Sequence, residues 1–429
     1  MRIFLDVTRT LAHAKKRTPT GIDRVEHAYI RFLLNHKPDK DAWFVVNTPF
    51  GRGILSASEM SLAYESIQRQ QQGHSALPVT DGFKKLLFEL QRPITNLRNS
   101  PLCLHSNRTE GDSIATVAFS LAKGFRRFQR LANGTEKAIY LHTSHVQLDR
   151  PRLFQWLDRP SIFPAFFIHD LIPIEYPEFC GPGAAERHRI RIETALRLGR
   201  ALIVNSEFTK QSLLSFVGTS SVPPIAVVPL ANSIDDRDLT EFSPITNEVP
   251  YFLHVGTIEG RKNIPHLLNV WREVIRTAGF EQAPRLVLIG QRGWECESVL
   301  SILDRSRELA NHVIEVSDVN DVELRFLMRY AHGLVSVSMT EGYGLPPIEA
   351  VRLGTPVVVS DIPAHREILG PSAQYVAVHD GAALAHQVLK LSRQSSQSRI
   401  KDANNFAPVA WDEHVDRALT FLEAQINDW

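Results

Sequence analysis

Short apolar runs alternate with helical stripes along nearly the whole chain. Residues 3–7 (Ile3-Phe4-Leu5-Asp6-Val7) read as a buried strand, followed by a polar, basic loop and an amphipathic helix to about Leu34. Residues 43–47, 140–145, 163–168, 202–204 and 225–228 repeat the strand pattern, with a helix over about 184–198. A polar, Pro-containing stretch from 233 to 250 then interrupts the alternation. It resumes with a strand from Tyr251 and a helix whose Leu267, Leu268, Trp271, Val274 and Ile275 form one 3.6-residue stripe. Strands at 286–289, 312–316, 334–337 and 356–359 follow, with helices between.

This alternation predicts α/β architecture: two Rossmann-like, doubly wound domains with parallel sheets. The boundaries read 1–235, a linker at 236–250, a second domain at 251–405 and a last amphipathic helix within 406–429. A length of 429 residues agrees, being too long for one ordinary core. Residues 55–135 say least and are expected to form a helical insertion in the first domain. Their segments Phe83-Lys84-Lys85-Leu86-Leu87-Phe88 and Phe125-Arg126-Arg127-Phe128-Gln129-Arg130 mix basic and apolar positions. Such segments are either ordinary amphipathic helices with solvated charges or a face resting on an anionic membrane.

Composition narrows the classes. A formal charge of +1 gives no global attraction to nucleic acid. Cys103, Cys180 and Cys296 are widely spaced and odd in number, so they suggest neither a disulfide framework nor a zinc pattern, and a cytoplasmic setting is expected. No apolar stretch approaches the ~20 residues of a membrane span, and charge arrives too early, at Asp6, for a signal peptide. Gly51-Arg52-Gly53 invites a dinucleotide reading, but Ser56 breaks the fingerprint and no acidic ribose ligand follows.

The chemistry concentrates in Thr340-Glu341-Gly342-Tyr343-Gly344-Leu345-Pro346-Pro347-Ile348-Glu349-Ala350. The segment reads as strand end, glycine loop, short helix, then strand. Glu341 falls in the loop at the carboxyl edge of the sheet, where ligands bind, and Glu349 in the first turn of the helix. The segment resembles the Glu-x7-Glu signature of retaining GT-B glycosyltransferases of family four, in the form E-G-(F/Y)-G-L-P-x-x-E-A. Thr18-Pro19-Thr20-Gly21-Ile22-Asp23-Arg24-Val25 resembles the N-terminal glycine loop of bacterial polysaccharide mannosyltransferases. His169-Asp170-Leu171-Ile172-Pro173 resembles that family's donor-sugar histidine, Val204-Asn205-Ser206-Glu207-Phe208-Thr209 its V-N-S pattern, and Val255-Gly256 through Arg261-Lys262-Asn263 its phosphate-binding loop.

The resemblance implies a cleft between two domains with the nucleotide-sugar donor held mainly by the second, and a C-terminal helix crossing back to the first. Glu349 would accept from ribose hydroxyls, while Gly342, Tyr343, Gly344, Leu345 and Pro346 would line the diphosphate and sugar. Glu341 and His169 would face the hexose, and Lys262 would neutralise the leaving diphosphate. Gly21, Thr257, Arg261 and Val319 complete the donor side; Arg24, Asp170, His142 and His145 would serve the acceptor or the diphosphate loop. Thr257 departs from the family, where arginine is frequent, so a second cation would come from Arg261 or Arg24 or be absent. The resemblance further implies retention, with the donor phosphate accepting the acceptor's proton. No cofactor or metal is expected, since no Asp-x-Asp motif stands at a strand end and His142/His145 lack a third ligand. The expected partners are a nucleotide sugar, a saccharide or lipid-linked saccharide, and an anionic membrane at the inner face of the cell membrane. GDP-mannose leads, with UDP-hexose donors close behind; a non-catalytic carbohydrate-binding GT-B subunit is the rival, and a sugar-nucleotide epimerase lacks support.

Overall fold

Most of the apolar runs close into buried strands, β8 at the sheet edge being only half-buried, and in the computed structural model the strands gather into two seven-stranded sheets. The structure describes residues 1–14, 19–37, 41–48, 51–72, 79–94, 98–104, 124–231, 249–394 and 409–429. The first sheet holds β1 (Arg2–Asp6), β2 (Ala42–Thr48), β3 (Gly51–Ser56), β5 (Ala138–His142), β6 (Ile162–Ile168), β7 (Ala201–Val204) and β8 (Ile225–Val227). Their order is β3-β2-β1-β5-β6-β7-β8. All pairs are parallel except β2 and β3, a hairpin turning at Thr48 and Gly51, which disposes of the glycine fingerprint there. Every residue of β6 is buried, so both faces of this sheet carry helices.

The second sheet holds β9 (Tyr251–Val255), β10 (Arg285–Ile289), β11 (Val313–Val316), β12 (Gly333–Ser336), β13 (Val357–Ser360) and β14 (Gln374–Val376). Its order is β14-β13-β12-β9-β10-β11-β4, with β4 spanning Leu102–Leu104. Strand order reverses between β9 and β12, so the loops leaving these two strands diverge around a crevice at their carboxyl ends. The same reversal occurs in the first sheet between β1 and β5.

The sequence-based assignment of 55–135 to the first domain needs correction. Its two ends do belong there: the Ala57–Gln72 helix follows β3, and the helix over 124–132 places Phe128 and Ala132 in the core of the first sheet. The Asp81–Leu90 helix and β4 build onto the second. β4 pairs parallel with β11. Phe83 packs edge-on to Phe326 at 5.8 Å, and Glu323 accepts from the Thr80 amide at 2.6 Å. A three-residue strand has no periodicity of its own; it forms because the exposed edge of β11 offers unpaired backbone groups. The 236–250 linker and the basic residues 15–18 lie wholly or mostly outside the described residues.

The Trp411–Asn427 helix crosses back to the first domain, as the resemblance implies. His414 meets the Tyr29 hydroxyl at 3.3 Å and bonds the Pro229 carbonyl at 2.8 Å. Among the described residues, no helix is long and apolar enough to cross a membrane.

Candidate active site

The loop after β12 brings Glu341 into the crevice, and the loop after β9 brings two cations onto it. Glu341 is 5% exposed. Its Oε1 accepts from Lys262 Nζ at 2.5 Å and Ser338 Oγ at 2.6 Å, and its Oε2 from Arg261 Nη1 at 2.6 Å. Glu259 takes the Arg261 Nε at 2.7 Å. Burial alone would raise the Glu341 carboxyl, but Arg261, Lys262 and Ser338 overrule it and hold the group well below the usual range. Burial lowers the Lys262 ammonium, with Glu341 opposing and Arg261 reinforcing. Gly256, at φ 147°, leaves the space the lysine crosses: an added Cβ would stand 3.3 Å from Lys262 Cε.

Glu349, one turn into the Leu345–Arg352 helix, is 3% exposed and accepts from Arg24 Nη1 at 2.6 Å, across the cleft. Arg24 Nη2 reaches Asp321 at 2.8 Å. Burial raises the Glu349 carboxyl, with Arg24 opposing. Arg24 is aimed by its helix start. Thr20 caps the Gly21–His36 helix in a capping box with Asp23, which also receives Arg9 Nε at 2.5 Å and His13 Nδ1 at 2.8 Å. A Cβ on Gly21 would sit 3.5 Å from Leu345 Cδ1, so the two helix N-termini, one from each domain, face each other. Each carries about half a positive charge. Gly344, at φ 95°, makes the turn into the second.

Gly342 is required for the approach of the two domains. A Cβ there would lie 2.7 Å from the His169 carbonyl oxygen and 2.9 Å from Asp170 Cβ. The His169 carbonyl accepts from Asn205 Nδ2 at 2.9 Å, and the Gly342 carbonyl from Ser206 Oγ at 3.3 Å and Thr209 Oγ1 at 3.4 Å. Tyr343 donates its hydroxyl to the Leu230 carbonyl at 2.8 Å. Beside them Glu367 accepts from the Glu207 and Phe208 amides at 2.6 and 2.8 Å, capping a first-domain helix from the second domain. The V-N-S-E-F-T segment therefore ties the His169 loop to the glycine loop.

His169 is buried, bonded through Nε2 to the Thr143 carbonyl at 2.7 Å and stacked on Phe167. Burial lowers its pKa to about 4, so it is neutral at physiological pH. His145 packs between His169 and His188, with ring centroids at 5.3 and 4.9 Å. His142 lies elsewhere. It is fully buried beside Asp6 and the Tyr140 hydroxyl, 3.2 Å away, which does not fit the expected acceptor contact. Thr257 lies under Gly293, Val319 is buried between β11 and the Asp321–Tyr330 helix, and Pro346 is half-buried. The sequence reading missed Asp23, Ser338, Asn205, Asp321 and Glu367. Of these, Asp23 had a local signal in the Thr20-x-x-Asp23 capping spacing and Asn205 lay within the V-N-S pattern, while the other three had none.

The family described as "Glycosyl transferases group 1" matches residues 235–407. Serotype-specific mannosyltransferase WbdA of Escherichia coli is 26% identical over 278 residues, 61% of this chain and 33% of that protein. O-antigen chain mannosyltransferase RfbU of Salmonella typhimurium is 28% identical over 216 residues, 50% of this chain and 56% of that protein. The match to WbdA thus spans only about a third of that relative's length. Sucrose-phosphate synthase from Thermosynechococcus elongatus superposes over 100% of both chains, with a TM-score of 0.59 at 16% identity. A trehalose-phosphate synthase from Burkholderia xenovorans reaches a TM-score of 0.51 at 12% identity, over 65% of this chain and 70% of that one. The chain therefore has the GT-B architecture, and its residues 235–407 are a glycosyl transferases group 1 domain.

Proposed function

We propose that the protein transfers a hexose, with retention, from a nucleotide sugar to a saccharide acceptor, and that the donor is GDP-mannose. The observation that carries this reading is Glu341 paired with Lys262 and Arg261 at the β9/β12 reversal, beside a helix N-terminus. Breaking the sugar–phosphate bond leaves a diphosphate whose charge grows in the transition state. Lys262, Arg261 and the helix amides are positive groups already fixed where that charge develops. One cation at ~4 Å in a partly water-excluded site supplies about 4 kcal/mol before desolvation, a substantial share of the ~8–23 kcal/mol an enzyme must find. Arg261 then serves as the second cation that Thr257 cannot be. Glu341 and neutral His169 hold hexose hydroxyls, Glu349 accepts from the ribose, and the departing phosphate takes the acceptor's proton. Two cations and a helix terminus do here what a divalent ion does in other transferases.

Mannose is favoured because the relatives are named mannosyltransferases, one of them an O-antigen chain mannosyltransferase. The acceptor on this reading is a glycan or lipid-linked saccharide of cell-surface polysaccharide, reached at the cytoplasmic face. The test is thermal unfolding against a panel of nucleotide sugars. A donor present at 100 times its Kd adds about 2.7 kcal/mol of stability. GDP-mannose is expected to give the largest shift; a larger shift with a UDP-hexose would replace the donor, and no shift with any of them would overturn the reading.

A further inference from the structure

The crevice loops carry an aromatic feature that the donor chemistry does not use. Trp294 is 55% exposed, in the loop between β10 and the Glu297–Arg305 helix. Among the described residues it has no aromatic or cationic partner. The loop is nevertheless tied down at its start. The Ile258 amide donates to the Gln291 carbonyl and the Gly293 amide to the Ile258 carbonyl, both at 2.9 Å. Cys296 Sγ reaches the Gly293 carbonyl at 3.1 Å, and Glu295 is held at φ 52°, a left-handed conformation uncommon outside glycine. A large ring thus faces water on a loop tied to the phosphate-loop turn at Gln291 and Gly293.

Gly260, next to Arg261 and Lys262, marks where this loop meets the first domain. A Cβ built on it would stand 3.3 Å from the Glu295 carbonyl oxygen and 3.7 Å from Phe179 Cδ1. Phe179 in turn stacks on Tyr176, with centroids 6.2 Å apart and planes 17° apart. Both rings are half-exposed and belong to the segment that leaves β6 through His169. Aromatic residues of both domains therefore flank Gly260 beside the Glu341 cations: Phe179 approaches it directly, and Trp294 precedes Glu295, whose carbonyl faces it. The exposed charged neighbours of these rings in sequence are carboxylates, Glu178 and Glu295, while the nearby Arg261 is already paired with Glu259 and Glu341.

We infer that Trp294, Phe179 and Tyr176 form the binding platform for the sugar units of the acceptor chain next to the one that reacts. This rests on the transfer reading above. A pyranose ring offers an apolar C–H face and a rim of hydroxyl donors. Flat aromatic rings flanked by carboxylate acceptors match both halves of that surface. The carboxylates repel an anionic phospholipid or a polyphosphate, so the occupant is a neutral oligosaccharide rather than the donor's own phosphates. Indole and phenyl rings carry little rotamer entropy to lose, so such a platform is pre-organised.

The experiment measures oligosaccharide binding to the full chain by ligand-observed NMR without donor, using α-linked mannotetraose, maltotetraose and chitotetraose. Donor turnover is measured separately. Binding of at least one tetraose is expected, weakened at least about tenfold by Trp294→Ala and by Phe179→Ala, and largely kept by Trp294→Phe. Methyl α-mannoside, too short to span the platform, should bind equally to parent and variants. GDP-mannose hydrolysis by Trp294→Ala should match the parent's. No tetraose binding by the parent, or unchanged affinity in both alanine variants, overturns the platform. A raised donor KM in Trp294→Ala overturns it too, because the ring would then serve the nucleotide. Tetraose binding through Trp294 in a protein that turns over no donor would keep the platform and sink the transfer reading.

Discussion

Arg24 and Glu349 join the two domains through one buried charge pair, and its strength can be worked from the structure. Their side chains are 14% and 4% exposed, and the contact is 2.6 Å. Breaking a buried pair ordinarily costs ~3–5 kcal/mol because a charge is stranded. Here the loss has a ceiling. Burial already raises the Glu349 carboxyl against the pull of Arg24, so without the guanidinium it protonates more readily and strands less charge. Asp321, 52% exposed, adds at most ~1 kcal/mol. Arg24→Met should therefore cost about 2–3 kcal/mol, and Glu349→Gln less. The double variant should recover much of the sum, giving a coupling of about 1.5–3 kcal/mol. Urea unfolding of all four proteins at pH 7.5, without donor, closes the cycle. A coupling below about 0.5 kcal/mol would mean that the domains of the free protein do not meet through this pair.

Three further outcomes follow from the same contacts. Gly342→Ala places a Cβ 2.7 Å from the His169 carbonyl oxygen, a backbone atom that yields little, so it should cost about 1–3 kcal/mol and hold the domains apart, visible as a larger radius in solution scattering. An unchanged radius and stability would contradict that packing. Glu367→Ala removes a cap that spans the domains, so it should lower stability by about 1 kcal/mol and speed amide exchange at Glu207 and Phe208; unchanged exchange would show the cap is absent in solution. Burial lowers His27, His169, His254 and His414 each to about 4. The unfolded chain binds those protons below pH ~6.5 and the folded chain does not, so stability falls as pH drops from ~6.5 to ~4, by up to about 1.4 kcal/mol per unit for each histidine. Glu26, raised by burial to about 8, works oppositely and loses stability from pH ~4.5 up to ~8. Denaturation profiles should rise steeply to about pH 6.5 and then decline gently; a flat profile would contradict the burial of these groups.

The sequence made local features legible and long-range ones not. The turn from β12 through Gly344 into the Leu345–Arg352 helix could be read because glycine, proline and the apolar strands each signal their own conformation. Lys262 and Glu341 could be placed on one sheet edge, since each lies in the loop leaving a parallel strand at its carboxyl end. Their direct pairing could not, because it depends on the register of two loops 79 residues apart. β4 was invisible for the same reason: Leu-Cys-Leu carries no pattern, and its partner is the edge of a strand far along the chain. Arg24 was expected to serve the acceptor or the diphosphate loop; its pairing with Glu349 and Asp321 across the domains is a consequence of domain closure that no local window contains. Arg127, read as part of a basic surface, is bound by Glu59 at 2.5 Å and is 30% exposed.

The central claim, that cations fixed on Glu341 stabilise a leaving diphosphate, is tested most directly by the turnover of Lys262→Ala. The substitution leaves Glu341 paired with Arg261 and bonded to Ser338, so the fold should persist. The interaction strengthens as charge develops on the leaving group, so the loss should fall on kcat, with the donor KM changed only a few-fold. Steady-state nucleotide release with the donor that stabilises the protein most should show kcat lowered by ~10²-fold or more, and Lys262→Arg should restore little of it. Turnover within about threefold of the parent would contradict the assignment and leave Arg261 or the helix terminus as the principal stabiliser.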